Sequence, residues 1–93
     1  MKWRKMMNLV RYFLGYKVGI EYWIPIGDII IPYDFQLNSP GSYKFYMKEQ
    51  RFKETGKLGK IKLNKDFVLQ DGYISYLLCK KYDLDKVPVW FVD

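Results

Sequence analysis

Histidine is absent from this chain of 93 residues, and Cys79 is its single cysteine. Without histidine, the chain cannot supply a Ser-His-Asp triad, a Cys-His pair or a histidine-ligated zinc site. A single cysteine excludes an intrachain disulfide and a cluster of thiolates. The sequence therefore excludes several common catalytic designs, and it is typical of a protein from a reducing, cytoplasmic compartment.

Long apolar runs are also missing. No stretch approaches the roughly 18 to 20 apolar residues that a transmembrane helix needs. The N-terminal residues lack the continuous apolar region and the small-residue cleavage site of a secretory signal. With nine Tyr, six Phe and three Trp, a chain of this length can fill a small core well. We therefore expect one small cytoplasmic domain without a transmembrane segment.

Basic charge is concentrated in two segments. Residues 1–20 carry five basic groups and no acid, and residues 44–65 carry eight basic and two acidic groups, in a chain of net charge +6. Clustered basic charge is typical of proteins that bind nucleic acid or another polyanion, although lysines on a solvated surface give the same pattern. The polyanion-binding candidates are Lys2, Arg4, Lys5, Arg11, Lys44, Lys48 and Arg51.

Residues 2–14 have the apolar spacing of an amphipathic helix. Its apolar face is also the candidate partner interface, and it comprises Trp3, Met6, Met7, Val10, Phe13 and Leu14. Three interpretations stay open: this helix packs on the domain or on a second copy, lies on an anionic membrane, or touches nucleic acid with its basic side. We assign residues 1–17 to a helical extension and residues 18–93 to the domain.

The middle of the chain predicts a strand, a loop and a helix. Residues 16–26 are rich in β-forming residues, and residues 33–42 have a loop composition. A helix over about 40–55 should begin at Ser39-Pro40 and end before Gly56. On it, Lys44, Lys48 and Arg51 stand at i, i+4 and i+7. Like charges at this spacing cost a few tenths of a kcal/mol, so the row favours an anion alongside.

The last third of the chain predicts a hairpin, a helix and a strand. Residues 60–64 alternate as a strand, and a tight turn joins them to a second strand at 67–70. Asp71 is a candidate N-cap for a helix over about 72–82. Pro88 places the final strand, 87–92, at a sheet edge or at its own start. The predicted class is α/β (α+β), with a mixed β-sheet and two core helices besides the N-terminal one.

This order of elements resembles the ParB-like N-terminal domain, the fold shared with sulfiredoxin, over residues 22–93. In particular, the chain is similar to small ParB-like proteins of bacterial genomes and mobile elements. The residues that carry the resemblance are Ile61 to Leu63, Leu69, Asp71, Gly72, Tyr76, Leu77, Leu78 and Val87-Pro88-Val89.

The resemblance implies that the helix start at residues 71–75 faces a nucleotide or a phosphodiester. We predict no resident cofactor, with a nucleotide and magnesium as the alternative. Free N–H groups and the helix dipole favour an anion there, and a glycine lets a phosphate approach the backbone. The phosphate-binding or nucleotide-binding candidates are Asp71, Gly72, Tyr73, Ile74 and Ser75. Asp71 can instead serve only as an N-cap, and Tyr73 and Tyr76 can either stack on a base or pack in the core.

The chain departs from the family at this turn. Members with nucleotide-dependent activity have two basic residues where Ile74 and Ser75 stand here, and sulfiredoxin needs a cysteine in the turn, whereas Cys79 lies about two helical turns further on. The sequence therefore favours a non-catalytic module of a plasmid, phage or integrated element that binds nucleic acid or phosphate, with no catalytic residue and no metal ligand. The first alternative is a partner-docking or homodimerisation protein that uses the N-terminal helix. The second is a small nuclease or nucleotide hydrolase limited to carboxylates, namely Asp28, Asp34, Asp66 and Asp71.

Overall fold

A mixed sheet of four short strands organises the chain. The strands are β1 (Glu21–Pro25), β2 (Ile61–Leu63), β3 (Leu69–Asp71) and β4 (Lys86–Phe91). Their spatial order is β1-β4-β2-β3. β4 is antiparallel to β1 and parallel to β2, and β2 is antiparallel to β3. The computed structural model describes residues 2–93, with side chains from Met7 onward.

The described residues form four α-helices beside the sheet: α1 (Lys2–Gly15), α2 (Tyr33–Leu37), α3 (Ser42–Thr55) and α4 (Tyr73–Lys81). The predicted class, an α+β fold with a mixed sheet, is therefore confirmed. No helix in the described part of the chain has the length and apolar character to cross a bilayer.

One face of the sheet carries the core. Because alternate residues of a strand point to the same face, Val87, Val89 and Phe91 of β4 are all fully buried, as are Ile61 and Leu63 of β2. Residues outside the sheet complete this apolar cluster, and they include Tyr12, Ile29, Phe67, Tyr76 and Cys79.

The final strand is central, so the first of its two predicted positions, a sheet edge, is wrong. Pro88 lies instead near the start of β4, as the second position requires. β4 pairs with β1 from Lys86 to Trp90, and with β2 only from Val89 onward. Pro88 therefore precedes the part of β4 that has a strand on both sides. Pro88 has no N–H to donate to a neighbouring strand, and it lies where β4 is paired on one side only. The sheet therefore does not lose a hydrogen bond in the doubly paired part of β4.

The connection between β2 and β3 is not the predicted tight hairpin with a strand from residue 67. The Asn64 side chain accepts hydrogen bonds from the N–H groups of Asp66 and Val68, at 2.9 and 3.0 Å. Phe67 adopts a left-handed backbone (φ +66°) and inserts a fully buried ring into the core. This buried ring explains the longer turn, so that β3 begins only at Leu69.

The segment predicted as a loop contains α2, and α3 begins later than predicted. Phe35 of α2 packs against the core and the Tyr73 ring, at 5.4 Å between centroids, so tertiary packing supports a helix too short for periodicity to reveal. Gly41 has extended backbone angles (φ −60°, ψ 144°). The helical bonds of α3 therefore start with the Phe45 N–H and the Gly41 carbonyl oxygen, and not at Ser39-Pro40.

α1 packs on the domain through the side opposite its predicted apolar face. Tyr12 is buried against Phe91, with ring centroids 5.1 Å apart. Buried Asn8 donates a hydrogen bond to the Asp66 carbonyl oxygen. The described members of the apolar face are exposed instead, and they are Met7, Val10, Phe13 and Leu14. The side chains of Lys2, Trp3, Arg4, Lys5 and Met6 lie outside the described residues.

Candidate anion-binding cleft

A basic cleft of about 490 Å³ lies between α3, the start of β2 and the first turn of α4. All five candidates of the predicted phosphate-binding turn line it: Asp71, Gly72, Tyr73, Ile74 and Ser75. Lys44 and Lys48 of α3 line it from the other side. The fold thus brings together two candidate groups that lie more than twenty residues apart in the sequence.

A second cavity of about 280 Å³ continues the cleft along α3 and is lined by Arg51 and Lys57. Lys48, Gly59 and Ser75 line both cavities. The two cavities therefore form one groove, which we call the basic groove. Three of the predicted polyanion-binding residues, Lys44, Lys48 and Arg51, lie along it.

Two further lysines of this groove were not predicted as binding residues from the sequence. Lys60 and Lys62 line the larger cavity, and they flank the buried Ile61 at the start of β2. The alternation in "KIKL" was the available signal, because it places both lysines on the face of the strand opposite the core. Asp71 is the one carboxylate among the residues lining the larger cavity, so lysines dominate its charge.

A hydroxyl and an ammonium group converge beside Gly59. A Cβ at this position would lie 3.2 Å from Ser75 Oγ and 3.8 Å from Lys48 Nζ. Only 3% of Ser75 is exposed, and its hydroxyl has no hydrogen-bond partner among the side chains described from Met7 to Asp93. The Ser75 hydroxyl and the Lys48 ammonium can therefore both donate to an anion beside Gly59.

Gly72 is explained by packing as well as by the turn. Its φ is +91°, and a Cβ there would overlap the Lys60 carbonyl oxygen and lie 2.8 Å from the Ile61 Cα. The glycine therefore allows the start of α4 to contact the backbone of β2. Because the Cβ itself overlaps, any other residue at this position would move one of these two segments.

The predicted N-cap at Asp71 is wrong, because Gly72 occupies that position and provides no side-chain cap. The Asp71 carboxylate instead accepts a hydrogen bond from the Gly72 N–H at 2.9 Å. This bond leaves the N–H groups of Tyr73, Ile74 and Ser75 in the first turn of α4 without a capping side chain. Such groups bind anions at helix N-termini.

Aromatic rings form one end of the larger cavity. Phe35 and Tyr73 both line it, and Tyr73 is stacked on Tyr76 at 6.2 Å between centroids. Tyr76 is 8% exposed and belongs to the core, so it packs and does not present a free face. Tyr73 is partly exposed at the rim, where a base could reach its edge.

A buried carboxylate joins the two helices that form the groove. Glu49 of α3 is 7% exposed and accepts hydrogen bonds from Lys81 Nζ and the Tyr82 hydroxyl. The bond from Lys81, and then that from Tyr82, hold the pKa of Glu49 below its ordinary value. Tertiary packing therefore gives Glu49 its partners at the C-terminal end of α4. This contact positions α3 relative to α4.

The remaining candidates lie elsewhere or do not suit catalysis. Arg11 forms an ion pair with Asp28 at 2.9 Å and lies over the Phe67 ring, so its charge already has a partner. Burial raises the pKa of the Cys79 thiol to about 11. Among the side chains from Met7 onward, no three acidic or cysteine residues converge as a metal site would require. Of the four carboxylates considered for catalysis, only Asp71 lines the groove.

Comparison with known proteins identifies the fold. Two solved structures of a pNOB8-like ParB N-domain match 80% of this chain, with TM-scores of 0.67 and 0.63 and sequence identities of 20% and 21%. The match covers 30% and 28% of those chains, so this chain spans less than a third of their length. No family model and no curated protein matches it. An identity near 20% shows the fold alone, and it confirms the fold that the sequence resemblance predicted: this chain has the fold of a ParB N-terminal domain.

Proposed function

We propose that this protein is a non-catalytic, ParB-like module that binds the phosphate backbone of nucleic acid in the basic groove. One observation carries the proposal. Lys44, Lys48, Lys60 and Lys62 meet the uncapped start of α4 in a single cavity. Converging cations and helix N–H groups suit phosphate oxygens, and the fold likeness to ParB N-domains supports this assignment.

The length of the groove favours a strand over a single phosphate. Lys44 and Arg51 are seven residues apart on α3, which is about 10 Å along a helix axis. One strand of nucleic acid carries a charge about every 3.4 Å, so this row can contact more than one phosphate. Lys57 extends the same line of positive charge.

The residues of the groove favour binding over hydrolysis. Ile74 and Ser75 offer no positive charge at the turn, and the chain has no histidine to act as a general base. Asp71, the carboxylate that lines the larger cavity, is engaged with the Gly72 N–H. An enzyme would need a base and a clamp that the lining residues do not supply.

The test is a fluorescence titration of the full chain, through its three tryptophans, with single-stranded and double-stranded DNA. Parallel titrations use CTP and ATP with magnesium. Each runs at about 50 and about 200 mM salt, where a complex built on several phosphate contacts separates by orders of magnitude. We expect salt-dependent DNA binding. Saturable binding of a nucleotide without DNA binding would move the assignment to a nucleotide site.

A pair of variants on one helix localises the binding. Lys48→Ala removes a cation that lines both cavities. Lys53→Ala removes the same charge from an exposed position of α3 outside them. We expect Lys48→Ala to weaken DNA binding about tenfold and to lower the salt slope by about one, and Lys53→Ala to change both much less. Equal losses in the two variants would show that binding follows net charge and does not use the groove.

A further inference from the structure

α1 presents its apolar side to solvent. Val10 is 53% exposed, Phe13 68% and Leu14 83%. The opposite side holds the helix on the domain through Asn8 and Tyr12, which lie about 160° from Val10 around a helix of 3.6 residues per turn. An amphipathic helix normally turns its apolar stripe toward the core. This orientation leaves an apolar surface that requires an occupant.

The charge around this surface determines which occupant suits it. Residues 1–20 contain five basic groups and no acid. Lys65 adds a cation 5.6 Å from the Phe13 ring. Two acids near α1 are already engaged, since Asp28 pairs with Arg11 and Asp93 lies 3.7 Å from Lys65 Nζ. A third, Asp66, lies beside Asn8, on the side of the helix away from the stripe. The occupant must therefore be apolar at its centre and negative at its rim.

A second copy of the chain meets neither condition well. A two-fold contact through α1 would bring the same acid-free segment of each copy together. The helix has 14 residues, so its length is about 21 Å and its apolar stripe is on the order of 200 Å². Stable interfaces bury about 800 Å² on each partner. The stripe alone is therefore too small and too basic for a stable homodimer.

We infer that α1 lies on an anionic lipid surface. An interfacial helix has an apolar face of large side chains, basic residues beside it and no acid, and α1 has all three. Because the domain is attached to the side opposite the stripe, Val10, Phe13 and Leu14 can enter the acyl boundary while the domain stays in water. The net positive charge of residues 1–20 then attracts anionic headgroups. This inference does not depend on the basic groove.

Vesicle flotation of the full chain tests the inference. The protein is mixed with phosphatidylcholine vesicles that contain or lack phosphatidylglycerol. We expect it to float with the anionic vesicles and to stay in solution with the neutral ones. Phe13→Glu and Leu14→Glu should each reduce the floating fraction about tenfold or more, because each removes one inserted side chain. Far-UV circular dichroism verifies that both variants are folded.

Two control variants distinguish insertion of the α1 stripe from the effect of any surface charge change and from lipid binding in the basic groove. Tyr43→Glu makes the same change at an aromatic residue of α3 that is 76% exposed, and we expect it to float like the wild type. Lys48→Ala weakens the basic groove, and we expect it to float as well. Loss of flotation in Lys48→Ala but not in Phe13→Glu would place lipid binding in the groove and overturn the inference.

The oligomeric state in solution provides a further check. Sedimentation without lipid should give a monomer. A dimer that Phe13→Glu dissociates would assign the stripe to a second copy and overturn the inference. A monomer that floats with neither kind of vesicle would overturn it as well.

Discussion

Lys81 Nζ of α4 lies 2.5 Å from Glu49 Oε2 of α3, and the Tyr82 hydroxyl donates to the same oxygen at 2.6 Å. One nearly buried carboxylate oxygen thus accepts two hydrogen bonds from residues 32 and 33 positions away in the sequence. Since Lys48 and Ser75 lie on the same two helices, this contact determines how closely the two walls of the basic groove approach.

We predict that this contact makes stability depend on pH at both extremes. The folded-state pKa of Glu49 lies below its ordinary 4.5, so the carboxylate stabilises the fold above that pH and stops doing so as the pH falls through the lowered pKa. The pKa of Lys81 lies above its ordinary 10.5, mainly because of the bond to Glu49. Its contribution is complete below that value and disappears as the pH rises through the raised pKa.

Urea denaturation of the wild type and of Glu49→Gln at about pH 3 and about pH 7 measures the acid side of this dependence. At pH 7 the variant should be less stable. At pH 3 the difference should shrink, because this pH lies below the ordinary pKa of 4.5 and the unfolded wild type then binds a proton at Glu49. A difference that stays constant over this range would contradict the pKa assigned to Glu49.

Replacing Gly72 should destabilise the fold more than replacing another left-handed glycine. Gly72→Ala combines a strained φ of +91° with the overlap at Lys60 and Ile61, whereas Gly56 has φ +70° and nothing within 4 Å of its missing Cβ. We expect Gly56→Ala to lower the free energy of unfolding by about 1 kcal/mol and Gly72→Ala by about 3 kcal/mol or more. Thermal or chemical denaturation measures both. Equal losses would show that the contact with β2 adds nothing.

The Asn64 side chain should be required for the turn between β2 and β3. Asn64→Ala removes the acceptor of two backbone N–H groups and should lower the free energy of unfolding by about 1 to 3 kcal/mol. Asn64→Asp keeps an oxygen at that position and should recover most of the loss. Urea denaturation of the three proteins decides this. A similar loss in both variants would assign the effect to the amide nitrogen or to charge.

Cys79 should be inert to thiol reagents while the chain is folded. It is fully buried, and burial raises the pKa of its thiol to about 11, so little thiolate forms at neutral pH. A colorimetric disulfide reagent should react only after unfolding, with a rate that increases with urea. Rapid labelling without denaturant would show that α4 opens locally from the sheet.

The fold was predictable because each element leaves a local signal. The alternation of "KIKL", the glycine after α3 and the apolar strand at the end of the chain fix the type and order of elements. The ends of the helices and strands and the order of strands in the sheet were less predictable, because they depend on contacts between residues that are distant in the sequence. Phe67 reaches the core only by adopting a left-handed backbone, and no local pattern distinguishes that from a strand.

The sequence predicted two separate groups of residues in the candidate site, but it did not predict the full set of residues that line the groove. The glycine turn and the row on α3 were recognised separately, and the structure places Lys48 and Ser75 on the same cavities. Lys60 and Lys62 were not predicted as groove residues, because their position in the groove depends on which strand lies beside α4. The orientation of α1 could not be predicted for a different reason. Apolar periodicity identifies a stripe, but it cannot tell whether the domain or something else covers that stripe.

The central position of β4 also imposes an order on folding during synthesis. β1 and β2 have β4 between them, yet β4 is made after both. While the ribosome adds the residues from 26 to 85, β1 has no strand to pair with, and its hydrogen-bonding groups stay open to other chains. Long-range pairing of this kind folds slowly. A nascent chain stalled before residue 86 should therefore be more prone to proteolysis and aggregation than one stalled after β4 has left the exit tunnel.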